Sequence, residues 1–89
     1  MKKYQTKFPE QVEAVQLTTS NYKEVIDWTE KECIVHYQDA GNMDLMGITV
    51  IDGNTHWPLF LGMYISKHKG GEVCNYTEEG FKKTWEEII

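Results

Sequence analysis

An α+β domain built on antiparallel strands follows from three features of this 89-residue sequence. Most of the chain alternates apolar and polar residues with a period of two. One stretch near the start instead follows the helical period. Turn dipeptides stand between the alternating runs at hairpin spacing. The predicted architecture is a small antiparallel sheet or partly open barrel of five to six strands. One helix follows the first strand, and a short helical turn comes near the end. So short a chain has room for one core, so residues 1–89 are read as a single domain.

The first strand is predicted over residues 12–17, where Val12, Ala14 and Gln16 share one face and Glu13, Val15 and Leu17 the other. Asn21 with Glu24 three positions on forms a capping-box pattern, so a helix is expected over residues 22–30. Tyr22, Val25, Ile26 and Thr29 form its apolar stripe, with Trp28 beside it. Strands follow over 33–38 and 45–51, separated by a turn at Asp39, Ala40, Gly41 and Asn42. Asp52, Gly53 and Asn54 mark a hairpin, and the strand over 55–59 returns from it. Pro58 cannot donate to a ladder, which places that strand at an edge.

After a turn at Gly62, strands over 63–67 and 72–76 flank Gly70 and Gly71 as a second hairpin, giving an unbroken meander. Thr77 caps a helical turn over 78–83 with acids in its first turn, and a terminal strand follows. Continued helix, with Phe81, Trp85 and Ile88 on one face, is the alternative for that end.

The composition removes several function classes. The net charge is −5, and all nine cations are lysines. Without arginine there is no bidentate fork for phosphate or guanine, which argues against nucleic acid as a partner and leaves only a lysine-lined phosphate track. The first residues carry positive charge but run into Phe8 and Pro9 rather than an apolar stretch, so no export signal is read. No run is long enough for a membrane span, and a cytoplasmic location in a bacterial host cell is expected. Cys33 and Cys74 are read as reduced thiols.

No constellation announces chemistry. Cys33 and His36 point to opposite faces of a strand, and His56 and His68 stand apart from other ligands, so neither metal nor cofactor is expected. Cys74 with His68 is the one local thiol–base candidate, able to approach across the hairpin at Gly70 and Gly71. A short hairpin lacks oxyanion donors and an enclosing pocket, so no catalytic residues are assigned. Gly70 and Gly71 join strand to strand, so no helix N-terminus receives an anion there.

The two ends of the chain resemble a family of small uncharacterised proteins of phages and prophages, chiefly from Gram-positive bacteria. Tyr4, Lys7, Phe8, Pro9 and the run Val12, Glu13, Ala14, Val15 and Gln16 resemble its opening, Tyr-x-x-Lys-x-Pro-x-x-Val-Glu-Ala-x-Gln. Gly62, Tyr64, Ile65, Lys67, Gly71, Glu72, Phe81, Thr84, Trp85 and Glu86 match scattered positions further on, the last four an ending like Phe-x-x-Thr-Tyr-Glu. Met63 replaces the family's Asp, and a Tyr-x-Cys-x-Pro-Asp segment is missing over residues 74–79. The resemblance implies a phage-encoded accessory protein in the host cytoplasm and transfers no catalytic residues.

A non-enzymatic protein that binds a host or phage protein is therefore the leading expectation. The expected contact surface is the sheet rim at Trp57, Tyr64, Lys67, His68 and Glu72. On that reading Tyr64→Ala weakens binding and leaves stability nearly intact. A nucleic-acid-binding barrel, stacking bases on strand aromatics beside Lys67 and Lys69, is the alternative, and a small enzyme the third. A strand edge beside Pro58 leaves homodimerisation open.

Overall fold

A computed structural model describes residues 1–5, 11–39 and 42–87. Lys7, Phe8 and Pro9 of the resemblance, the turn residues Ala40 and Gly41, and Ile88 lie outside the described residues. The elements run β1 (Lys2–Gln5), β2 (Gln11–Gln16), α1 (Tyr22–Thr29), β3 (Glu32–Asp39), β4 (Asn42–Asp52), β5 (Thr55–Phe60), β6 (Tyr64–Lys67), β7 (Val73–Tyr76), α2 (Glu78–Thr84) and β8 (Glu86–Glu87).

The class is α+β with antiparallel pairing throughout, but the strands form two sheets rather than one sheet or barrel. The first has order β7-β6-β2-β1-β8 and the second β3-β4-β5. Among the described residues eight strands replace the expected five to six, and α1 follows the second strand instead of the first. Lys2–Gln5 offers no alternation of its own. Its conformation is set by pairing with β2, where Tyr4 stands opposite Val12, and by Tyr4 packing edge-on against Phe81 at 4.7 Å.

The expected meander holds from β3 to β5 and breaks there. Gly62, at φ 89°, turns the chain out of the second sheet. Its N–H donates to the Leu17 carbonyl at 3.0 Å, and the Leu17 N–H donates to Met63 at 2.9 Å. The chain thus continues as β6 beside β2, with Val15 opposite Ile65. Pro58 does stand on an edge strand, since β5 pairs only with β4 within its sheet.

Alternation sorts the side chains of the first sheet onto two covered faces. Toward the second sheet and α1, a core of Leu17, Val25, Ile48, Val50, Leu59, Ile65 and Val73 is buried. On the opposite face Val12, Ala14, Phe81 and Trp85 form a smaller core lined by Tyr4, Tyr64 and Tyr76. Thr77 caps α2 as expected, its hydroxyl accepting from the Gly80 N–H at 3.1 Å.

Helix α1 presents Val25 and Thr29 to the core, but Asn21 does not cap it. The Asn21 amide instead donates to the Gln16 carbonyl at 2.9 Å and accepts from the Thr18 N–H at 2.8 Å. The loop backbone captures the side chain before the helix can use it. Glu30 ends α1 in the left-handed conformation at φ 56°.

Candidate functional site

The five residues expected at a contact rim are not brought together. Trp57 packs against the core between the sheets. Tyr64 lies on the other face of the first sheet, its ring stacked on Phe81 at 4.3 Å and 4° between planes. Glu72 is exposed beside the β6–β7 turn, where its carbonyl accepts from the His68 N–H at 2.8 Å. Lys67 and His68 do share a site, an open cleft of about 630 Å³ lined also by Lys3, Glu13, Glu30 and Lys69.

Register explains most of that cleft. Lys3 stands opposite Glu13, and Glu13 opposite Lys67, so charges alternate across three strands. The Lys67 ammonium donates to the Trp28 carbonyl at 2.8 Å, lies 3.7 Å from Glu30 and sits over the Trp28 ring at 5.7 Å. It is a cation held at a helix C-terminus, which the helix dipole favours. His68 hydrogen-bonds with Ser66 Oγ at 3.4 Å, and its ring meets Trp85 edge-on at 6.3 Å. The cleft is thus of mixed charge, and its best-placed cation secures α1 to β6.

No group of three or more metal-ligating side chains occurs among the described residues. No described helix is long and apolar enough to cross a membrane. Neither thiol is activated. Burial pushes Cys33 up, against a smaller lowering by the Thr29 hydroxyl. Burial and then the Glu72 charge push Cys74 up, with Asp52 adding to the rise and a Tyr76 hydrogen bond opposing it. Both are protonated near neutrality, opposite to what a nucleophile needs.

This gives a pH prediction. Alkylation by iodoacetamide at pH 8 should be slower in the folded protein than in urea for both cysteines. In the unfolded chain the thiols deprotonate first, so their contribution favours unfolding as pH rises past the ordinary thiol range. Equal rates in both states, followed by mass spectrometry, would contradict the burial assigned to these thiols.

The least conventional surface is the outer face of the second sheet. Register places Glu32, Ile51 and His56 in one row, Ile34, Thr49 and Pro58 in the next, and His36, Gly47 and Phe60 in a third. Ile34 is 47% exposed and Phe60 50%, with Pro58 also exposed and Ile51 half-buried. No described element covers this face. His36 Nε2 and Thr49 Oγ1 lie 2.7 Å apart, fixing the ring between two rows. Lys31 and Asp52 form an ion pair at 3.2 Å where β3 begins.

Gly47 is required by the strand alongside. A Cβ there would lie 2.4 Å from the Leu59 carbonyl oxygen, so only a missing side chain lets β4 and β5 approach. The row between His36 and Phe60 therefore has no side chain at its centre.

Sequence reasoning passed over Ile34, Ile51 and Phe60, although a signal was present. Cys33, Ile34 and Val35 are apolar on both parities, as are Val50 and Ile51. A strand with one solvated face needs apolar residues on only one parity. No protein-family model, curated protein or solved structure matches this chain.

Proposed function

We propose that this domain is a phage- or prophage-encoded accessory protein that acts by binding another protein through the outer face of its second sheet. The observation carrying the binding role is the exposed patch of Ile34, Ile51, Pro58 and Phe60 on a three-stranded support that no described element covers. Contiguous exposed apolar surface on a small domain is a feature of interaction sites. The phage origin rests on the residues that its ends share with that family.

The double substitution Ile34→Ser with Phe60→Ser tests this role. Both side chains are about half exposed, so stability should change by only about 0.5 kcal/mol per site. A partner captured by the tagged protein from nuclease-treated lysate of a Gram-positive host should lose affinity by about 30-fold or more, as hot-spot residues do. Lys69→Ala, in the lysine-containing cleft, should leave it unchanged. A partner that is retained by the double variant but lost with Lys69→Ala would move the contact to the cleft.

A nucleic-acid role is favoured only by Lys3, Lys67 and Lys69 lining that cleft. It predicts that captured material disappears on nuclease treatment and that binding weakens steeply with salt.

A further inference from the structure

We infer that the outer face of the second sheet takes a short, basic segment of a partner protein, apolar at its centre and flanked by lysine or arginine. The inference rests on the preceding reading of that face as the contact surface, and adds the size and charge of what sits there.

Size follows from strand geometry. Three strands about 4.8 Å apart, each offering about five residues at 3.4 Å rise, give a platform of roughly 15 by 17 Å. In plan that is about 250 Å², against roughly 800 Å² per partner in a standard stable interface. The platform is too small to hold two globular domains together by itself. It is wide enough for one helix, about 10 Å across, or one extended strand.

Charge selects the segment. Residues 31–66 hold four acids, Glu32, Asp39, Asp44 and Asp52, against one lysine, so three of the five net negative charges fall on this stretch. That lysine, Lys31, is already paired with Asp52 at 3.2 Å. On the platform Glu32 is the one formally charged residue at the nine register positions, at the corner of an apolar field. A second copy of this chain docked face to face would bring like charges together. A segment with flanking cations meets complementary potential instead and is steered toward the face. Its apolar centre lies over Ile34 and Phe60, where Gly47 leaves the third row without a central side chain.

The test uses the full chain labelled with ¹⁵N and two synthetic peptides of about four helical turns with identical apolar residues. One carries lysine flanks and the other glutamate flanks. At low salt the lysine peptide should shift the amides of Ile34, Thr49 and Phe60 and bind about tenfold more tightly or better than its counterpart. Added salt should narrow that gap, as should Glu32→Lys. Equal or tighter binding of the glutamate peptide at these amides would overturn the charge assignment while leaving the face as the contact surface. Shifts confined to other amides, or none with either peptide, would overturn both readings. Concentration-dependent shifts at the face without peptide, with a dimer in sedimentation, would replace the segment by a second copy.

Discussion

Phe81→Ala should cost about 3–5 kcal/mol, a large part of the roughly 5–15 kcal/mol that holds a small domain folded. Phe81 is 1% exposed and is the hub of the smaller core. Its ring stacks on Tyr64 at 4.3 Å, meets Tyr4 edge-on at 4.7 Å and Tyr76 at 5.6 Å, and lies 6.5 Å from Trp85. Each such pair adds about 0.5–1.5 kcal/mol beyond the area it buries. Helix α2 is seven residues long and too short to persist without this anchor. Urea unfolding followed by tryptophan fluorescence measures the loss, with Phe81→Leu as a milder companion in case the alanine variant does not fold. Tyr64→Ala should lose stability in the same sense, contrary to its reading as a contact residue. A loss below about 1 kcal/mol for Phe81→Ala would mean that α2 is not held by this cluster.

Gly47→Ala should also destabilise the fold despite adding a single methyl. The new Cβ would lie 2.4 Å from the Leu59 carbonyl oxygen and 3.0 Å from the Phe60 Cα. Both neighbours are backbone and cannot rotate away, so β4 and β5 must separate. Leu59 is fully buried in the core between the sheets, and moving its backbone disturbs that packing too. Overpacking of this kind costs about 1–3 kcal/mol. At roughly 4–8 °C per kcal/mol for a domain of this size, the melting temperature should fall by about 5–20 °C. Amide exchange should quicken first along β5. An unchanged melting temperature would show that the two strands do not approach as closely as described.

Much of the fold was legible because local patterns bear directly on local structure. The spacing of Val25 and Thr29 revealed a helix with its buried stripe, and Thr77 revealed the start of another. Asp52, Gly53 and Asn54 marked the β4–β5 hairpin. Lys2–Gln5 had no such pattern, because a four-residue strand held by its neighbours needs none. The change of sheet at Gly62 was equally hidden, since a turn residue reverses the chain without naming the strand it will meet.

The candidate site was harder to read for a related reason. Alternation tells which residues share a face but not what covers that face. Tyr64 and Lys67 looked like neighbours on a rim, yet they occupy opposite faces of β6, and Tyr64 belongs to a core. Asn21 showed the same ambiguity at a smaller scale, because the Thr18 N–H and the helix amides compete for one side-chain oxygen.

The two sheets also differ in how much of the chain each must gather. The second is complete once Phe60 exists, for β3, β4 and β5 are successive strands. The first pairs Val15 with Ile65 and Tyr4 with Glu87, so its outer rows wait for some of the last described residues. Long separations between pairing strands slow their closure. In a chain refolding from denaturant, the platform bearing Ile34 and Phe60 can therefore form before the distant strands of the first sheet have met.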